Sequence, residues 1–358
     1  MKVALIGPPK SGKTTIFNAL TESEHETDKY TPPASEANIG VVQVTDERIT
    51  RLSELYKPKK TIYANVEFHD FPGIFAKEGE NPESQIFSEI KSCEAFVLIL
   101  RSYVDEELDQ LYGAVDPLKN LSYFEDEMIL SDMVVAEKRL EKIQLGYKRG
   151  VKTPAIQIEE KALNRIVEHL QQNQSIRDMD LAEDEAKAIR GFQFFSAKPL
   201  LVLLSTTENG FSEQEELLAK VRERGFMAEK IAGKFEQELS TLSPEEADLF
   251  MADMGMELSI RDRLTMLCYE LLGLISFFTV GEDEVRAWTI TRGANAVTAA
   301  GKIHSDLARG FIRAECFNYD DIMAHGSEKH LREKGLFRLE GKDYIVKDGD
   351  ILNIRFNV

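Results

Sequence analysis

Residues 7–15 read GPPKSGKTT and match the phosphate-binding pattern GxxxxGK[ST]. Gly7 and Gly12 let the backbone curl so that successive N–H groups point inward and can bind an anion at a helix N-terminus. An apolar run precedes the loop at residues 2–6 (KVALI), and a helical pattern follows it at residues 14–20 (TTIFNAL). A strand, a loop and a helix in this order predict a site for the phosphates of a nucleotide.

Each loop residue is a candidate ligand of that nucleotide. We expect the Lys13 ammonium to reach the β- and γ-phosphates and the Thr14 hydroxyl to bind Mg²⁺. Lys13 and Lys10 are the candidate catalytic residues of the loop. The nucleotide-binding candidates in the loop are Gly7, Pro8, Pro9, Lys10, Ser11, Gly12, Lys13, Thr14 and Thr15.

A second anchor follows the strand-like run at residues 64–68 (ANVEF), where the chain continues as HDFPG. This places an Asp-x-x-Gly segment at a strand end, downstream of the phosphate loop. We expect the Asp70 carboxylate to hold Mg²⁺ through water and the Gly73 N–H to contact the γ-phosphate. Thr14 and Asp70 are therefore the predicted metal ligands.

Strand-like and helical segments alternate in the first part of the chain. Residues 39–44 (IGVVQV), 95–100 (AFVLIL) and 199–204 (PLLVLL) are strand-like, and the last two are continuous apolar runs. Such runs are typical of a parallel sheet that is buried on both faces. The pattern predicts a doubly wound α/β nucleotide-binding domain.

A helical segment interrupts that domain between residues 125 and 190. Its apolar residues recur at intervals of three and four, and residues 150–154 (GVKTP) break the pattern. We interpret the segment as an inserted antiparallel helical hairpin, either a structural arm or a docking arm. With 11 Lys and Arg against 14 Asp and Glu, its total charge predicts no basic stripe. The predicted seam contains Met133, Ala136, Leu140, Ile143, Tyr147, Leu163, Ile166 and Leu170.

The C-terminal segment has a different pattern. Residues 232–273 are helical, and residues 277–358 contain short strand-like runs separated by Gly turns, which predicts a small α+β domain. The predicted strands are residues 286–291, 311–317, 344–346 and 351–356, with a helix at 299–307. The predicted domains are therefore 1–124 with 191–276 for nucleotide binding, 125–190 for the hairpin, and 277–358 for the C-terminal domain.

Composition narrows the functional classes. The chain has 358 residues and a formal net charge of −18. This charge argues against nonspecific binding along nucleic acid, which needs clustered Lys and Arg side chains. Any contact with RNA therefore has to be confined to a small part of the surface. Cys93, Cys268 and Cys316 lie far apart and predict neither a disulfide framework nor a zinc site. No run of about 18 apolar residues or signal peptide is present, so we expect a cytoplasmic protein without a membrane partner.

Several C-terminal stretches resemble the YchF family of Obg-related phosphate-loop NTPases. Residues 284–289 (EVRAWT), 300–306 (AGKIHSD), 310–315 (GFIRAE) and 338–346 (RLEGKDYIV) are similar to the TGS domain of that family. The order of nucleotide domain, inserted hairpin and TGS domain matches as well. The resemblance implies nucleotide hydrolysis, with ATP usually preferred over GTP, association with ribosomes, and a monomer. The TGS region itself has 12 Lys and Arg against 13 Asp and Glu, so an RNA partner rests on resemblance alone.

The base-recognition segment departs from the family pattern. Residues 205–208 read STTE where the family has Asn-x-x-Glu and a GTPase has Asn-Lys-x-Asp. Without that Lys, and with Glu208 in the Asp position, ATP is favoured over GTP as the substrate. We expect the base to be bound by Ser205, Thr206 and Glu208, and by Ala232 and Gly233 after the next strand. Residues 196–198 (SAK) mimic another GTPase motif but precede the base segment, so we do not assign them to the site.

Two further departures concern catalysis. The position of the family's Mg²⁺-binding Thr in the first switch is Ala34, so Ser35 or Thr31 has to replace it, or the switch closes weakly. Related NTPases carry Asn at the position of Lys10, where it helps to hold a potassium ion. We hypothesise that the Lys10 ammonium substitutes for this ion; the alternative is a side chain that points to solvent.

Three functions remain open at this point. The first is a slow Mg²⁺-dependent ATPase switch whose nucleotide state controls binding to a ribosomal or RNA partner. The second is a catalytically degraded scaffold that acts as a protein or RNA interaction module. The third is a GTPase of ordinary Obg type.

Overall fold

The computed structural model describes residues 1–23, 25, 37–71 and 85–357. Within it the chain divides into two compact units, Met1–Gly40 with Glu67–Ile260, and Val41–Val66 with Arg261–Val358. The residues considered for the first switch, Thr31, Ala34 and Ser35, lie outside the described residues, as does Gly73.

The strands and helices are as follows. The strands are β1 Lys2–Ile6, β2 Asn38–Gln43, β3 Lys60–Ile62, β4 Asn65–Asp70, β5 Ala95–Arg101, β6 Leu200–Ser205, β7 Met227–Ile231, β8 Leu274–Thr279, β9 Glu284–Thr291, β10 Phe311–Asn318, β11 Arg338–Glu340 and β12 Asp350–Phe356. The helices are α1 Lys13–Thr21, α2 Glu47–Tyr56, α3 Gln85–Ser92, α4 Glu106–Tyr112, α5 Pro117–Lys148, α6 Pro154–Gln171, α7 Glu183–Ile189, α8 Glu215–Glu223, α9 Gly233–Leu239, α10 Pro244–Asp253, α11 Ile260–Leu271, α12 Ala296–Ile303, α13 Ser305–Arg309, α14 Tyr319–His325 and α15 Glu328–Glu333.

A six-stranded sheet with the order β2-β4-β1-β5-β6-β7 forms the centre of the first unit. The pairs β1–β4, β1–β5, β5–β6 and β6–β7 are all parallel. All six residues of β6 and the first six of β5 are buried, as the continuous apolar runs predict. Because the strands are parallel, β1, β4 and β6 end at the same edge of the sheet, where the predicted site residues lie. The α/β fold class is confirmed.

Helices α5 and α6 pack as an antiparallel hairpin. Side-chain hydrogen bonds join Asp126 to Asn173 near the base and Arg139 to Glu159 further along, so sequence number rises on one helix as it falls on the other. The predicted seam residues belong to one hydrophobic cluster between the helices, which confirms the periodicity. Pro154 begins α6 after a Thr cap, because proline is compatible with the first helical turn. The first helix begins at Pro117, earlier than the predicted start at residue 125.

A buried carboxylate joins the hairpin to the segment before β6. Asp132 of α5 accepts hydrogen bonds from the backbone N–H groups of Phe195 and Ser196 at 2.9 and 2.7 Å, and from the Ser196 hydroxyl at 2.7 Å. The Lys198 ammonium donates to the carbonyl oxygens of Lys91 and Cys93. The SAK sequence at residues 196–198 is therefore engaged in these contacts.

The second unit contains a mixed sheet with the order β11-β10-β12-β8-β9-β3. Pairs β8–β9, β10–β12 and β10–β11 are antiparallel, whereas β12–β8 and β3–β9 are parallel. Residues 41–66 are predicted to belong to the nucleotide domain, but in the structure they group with the C-terminal unit, and β3 forms the edge of its sheet. The predicted domain boundaries at residues 124, 190 and 276 stay a prediction.

Two predicted elements of the C-terminal domain are wrong. Residues 344–346 form no strand, because only an isolated bridge joins Ile345 to Asn295. The helix predicted at residues 299–307 is two helices, α12 and α13, because His304 adopts an extended backbone between them. The His304 Nδ1 accepts a hydrogen bond from the Asp306 N–H at 3.2 Å and so caps α13.

Cys93, Cys268 and Cys316 are buried and form no disulfide. Among the residues that the structure describes, no helix is both long enough and apolar enough to cross a lipid bilayer.

Candidate nucleotide-binding site

The loop between β1 and α1 has the backbone that its glycines predict. Gly7 and Gly12 have φ angles of 148° and 99°, and Lys10 has a φ of 57°. A Cβ atom on Gly7 would lie 2.3 Å from the carbonyl oxygen of Ile99 in β5. The loop therefore passes so close to the sheet that only glycine fits at residue 7.

Lys13 is the buried cation of the loop. Its Nζ donates to the carbonyl oxygens of Gly7 and Pro8 at 3.1 and 2.8 Å. Burial lowers the pKa of the Lys13 ammonium to about 8; the charge of Asp70 opposes this shift and the charge of Lys10 adds to it. The ammonium thus lies inside the curl of the loop, where an anion would satisfy its charge.

Thr14 and Asp70 meet across the end of the sheet. The Thr14 Oγ1 donates to Asp70 Oδ2 at 2.8 Å, and Asn38 Nδ2 donates to the same oxygen at 3.3 Å. The second carboxylate oxygen, Oδ1, is buried without a hydrogen-bond partner among the described residues. Burial raises the pKa of the Asp70 carboxyl group, against the lowering effects of the Thr14 hydrogen bond and the Lys13 charge.

An unpartnered buried carboxylate oxygen beside a hydroxyl fits a hard cation such as Mg²⁺. Such an ion takes one or two protein oxygens and completes its coordination with water and phosphate oxygens. No group of three or more His, Cys, Asp or Glu side chains able to hold a metal occurs in residues 1–23, 25, 37–71 and 85–357.

The end of β6 contacts the phosphate loop. A Cβ atom on Gly12 would lie 2.8 Å from Ser205 Oγ, so this hydroxyl abuts the loop. The next residue, Thr206, is buried, and its N–H donates to the carbonyl of Ile231 at 2.8 Å. Its hydroxyl, like that of Ser11, is buried without a hydrogen-bond partner in the described part of the chain. Within the described residues these two hydroxyl groups have no protein partner, so a ligand at the loop could satisfy them.

The other candidates for binding the base are Ala232, Gly233 and Glu208, which follow β7 or β6. Gly233, at the start of α9, packs on α1: a Cβ atom there would lie 3.3 Å from Ile16 and 3.5 Å from Thr15. Ala232 is buried just before it. Glu208 is exposed in the turn that follows Thr206, so it can contact a ligand only from the surface.

Sequence reasoning missed two contributors to the site. Asn38 binds the Asp70 carboxylate, but it begins a strand whose partner is not evident from the sequence. Ser102 donates both its N–H and its hydroxyl to the Ser205 carbonyl, at 2.8 and 3.0 Å, and so fixes the end of β6. His69, next to Asp70, contacts protein groups: its Nε2 lies 2.6 Å from Glu67 Oε1, and its ring stacks on Phe71.

The chain is similar over its whole length to known proteins. A family model described as "50S ribosome-binding GTPase" matches residues 2–132, and the model YchF-GTPase_C, described as "Protein of unknown function (DUF933)", matches residues 274–357. The "Ribosome-binding ATPase YchF" of Bacillus subtilis (strain 168) is 36% identical, and the alignment covers 100% of both chains. The protein of the same name from Shigella flexneri is 35% identical over 100% of this chain and 99% of its own.

A solved structure agrees with these sequence matches. "Structure of the Schizosaccharomyces pombe YchF GTPase" superposes with a TM-score of 0.82 at 29% identity, and covers 99% of this chain and 97% of that chain. The full-length identity, the C-terminal domain and the shared fold lead to one conclusion: this chain belongs to the YchF family.

Proposed function

We propose that this chain is a Mg²⁺-dependent ATPase that binds the ribosome and hydrolyses ATP slowly in the cytoplasm. The observation that carries the catalytic part is the Asp70 Oδ1 atom, which is buried without a hydrogen-bond partner among the described residues and lies on the carboxylate that contacts the Thr14 hydroxyl. Thr14 and Asp70 would hold Mg²⁺, which neutralises charge on the phosphates, while Lys13 and the loop N–H groups orient the triphosphate. The names of the relatives support the ribosomal partner.

The preference for ATP rests on the base segment. Glu208 stands where a GTPase has Asp, and Thr206 where it has Lys, so the contacts that select guanine are missing. The buried hydroxyl of Thr206 and the hydroxyl of Ser205 are small groups that can bind either purine, which favours modest affinity. GTP is the weaker second substrate in this proposal.

Calorimetric titration of the full-length protein with ATP and GTP, with and without Mg²⁺, followed by single-turnover hydrolysis, tests the proposal. We expect Mg²⁺-dependent binding, tighter for ATP, and slow turnover. Asp70→Asn should retain part of the nucleotide binding and lose the Mg²⁺ dependence. Binding without turnover would instead support the scaffold function, and tighter binding of GTP would support an ordinary GTPase.

Lys10 remains part of the proposed catalytic machinery. It lies partly buried in the loop, and its charge is close enough to lower the pKa of Lys13. If the Lys10 ammonium takes the place of a potassium ion, hydrolysis should have equal rates in sodium and potassium buffers, and Lys10→Asn should create a potassium dependence. Strong stimulation of the unmodified protein by potassium would contradict this role.

A further inference from the structure

The far end of the helical hairpin concentrates positive charge in an acidic chain. Residues 142–158 contain four Lys and Arg and no Asp or Glu, whereas the whole chain has a net charge of −18. All four cationic residues are exposed. We call them the basic tip: Lys142, Lys148, Arg149 and Lys152.

The hairpin does not neutralise the basic tip. Its nearest acidic residues on α6 are already bound, Glu159 to Arg139 and Glu160 to the Tyr147 hydroxyl. Among the described residues, no carboxylate forms an ion pair with a member of the tip. Lys152 instead lies over the Tyr147 ring, 5.4 Å from its centroid. Four cations that form no ion pair with the described residues make a surface that attracts an anionic partner.

One face of α5 extends this surface toward the base. Lys138, Lys142, Leu145 and Arg149 follow each other at intervals of four, three and four residues, so they lie on the same side of the helix. All four are exposed, and the row spans about 17 Å. The sequence-based prediction of no basic stripe is wrong here, because the total charge of residues 125–190 averages the tip with acidic segments elsewhere.

We propose that the basic tip binds phosphate groups of RNA and is a contact of this chain with ribosomal RNA. The inference rests on the proposed ribosome association. It adds which surface of the chain makes the contact and which chemical groups of the ribosome are bound. Ammonium and guanidinium groups that lack internal partners bind phosphates and release the RNA counterions. The exposed side chains of Leu145 and Val151 add apolar surface between the cations, suited to the sugars and bases of a folded RNA.

The length of the hairpin explains how an acidic protein can approach RNA. Helix α5 has 32 residues and is therefore about 48 Å long, several times the screening length of about 8 Å at physiological ionic strength. The tip is thus screened from acidic residues near the base of the hairpin. The net charge of the chain requires that any RNA contact be local, and the basic tip meets this requirement.

The test compares the full-length protein with the triple variant Lys142→Gln, Lys148→Gln, Arg149→Gln. Gln keeps helix propensity and removes only charge. The probes are intact ribosomes, in a co-sedimentation assay, and protein-free ribosomal RNA, in a gel-shift assay, each over a series of KCl concentrations. We expect the variant to bind both probes about tenfold more weakly. The slope of log affinity against log KCl concentration should also become less steep, by the equivalent of up to about three phosphate contacts.

A matched control carries the same charge change elsewhere in the first unit: Lys119→Gln, Lys187→Gln, Arg190→Gln, all at exposed positions. The control should bind both probes like the unmodified protein. The inference is overturned if the tip variant binds normally, if the control loses as much affinity, or if the unmodified protein binds ribosomes but not protein-free RNA, which would assign the tip to a protein. If the unmodified protein binds no ribosomes, the ribosomal part of the proposed function fails as well, whereas ATP binding by calorimetry is independent of either result.

Discussion

Replacing Lys13 by Met is expected to weaken the binding of ATP about 100-fold, a loss of about 2.7 kcal/mol. The ammonium lies inside the loop with two carbonyl oxygens as its partners, and a bound triphosphate would replace or join these with charged oxygens. Hydrogen bonds to charged groups each contribute about 1.5–3 kcal/mol. The loss of two such bonds between Lys13 and the triphosphate is therefore enough to account for the expected loss of binding free energy. Calorimetry on the variant measures the affinity.

Lys119→Met serves as the control for this substitution, since Lys119 is exposed at the start of α5. It should leave the affinity unchanged. Thermal unfolding of both variants checks that the fold is intact. An affinity for ATP within about threefold of the unmodified protein would contradict the role of Lys13, because an effect that small is less than about 1 kcal/mol.

Gly7→Ala is expected to lower the free energy of unfolding by about 3 kcal/mol or more and to abolish nucleotide binding. Two costs combine at this residue. A Cβ atom would lie 2.3 Å from the Ile99 carbonyl, so the loop or β5 has to move. The φ of 148° is also unfavourable for a residue with a side chain. Denaturant titration gives the unfolding free energy, and calorimetry gives the nucleotide affinity.

Gly113→Ala separates the cost of the unfavourable φ angle from the cost of the steric clash. Gly113 also has a positive φ, 87°, but a Cβ atom there meets nothing within 4 Å. Its substitution should cost only the backbone strain, about 1–3 kcal/mol, and leave nucleotide binding intact. Equal losses of stability in the two variants would show that the close approach of residue 7 to β5 has no energetic consequence.

The sequence predicts the strands and helices whose apolar residues form a continuous or periodic pattern. The predicted bounds of β1 match the observed ones, and those of β5 and β6 agree to within a residue, because their apolar runs are continuous. The seam of the hairpin was also found from its spacing. The predicted C-terminal strand at residues 344–346 failed because three apolar residues cannot show whether a neighbouring strand is available.

The site was predicted in outline. The loop pattern and the Asp-x-x-Gly segment suggested that Thr14 and Asp70 come together, and the structure places them 2.8 Å apart, although their roles as metal ligands stay a prediction. The contact of Asn38 with Asp70 depends on how distant strands align, which no local pattern encodes. The Asp70 Oδ1 atom, buried without a hydrogen-bond partner in the part of the chain that the structure describes, likewise reflects tertiary packing that no local pattern encodes.

The three-residue strand β3 affects how this protein can be dissected experimentally. It joins β9 through parallel pairing at Lys60, Thr61 and Ile62, although the rest of that sheet comes from the C-terminal part of the chain. A truncated fragment that begins at Arg261 would lack this strand and leave the backbone groups of β9 open to pairing with another molecule. Such a fragment should self-associate. Deleting the C-terminal region would in turn leave β3 without its partner strand, so a loss of function would not identify that region as the sole cause.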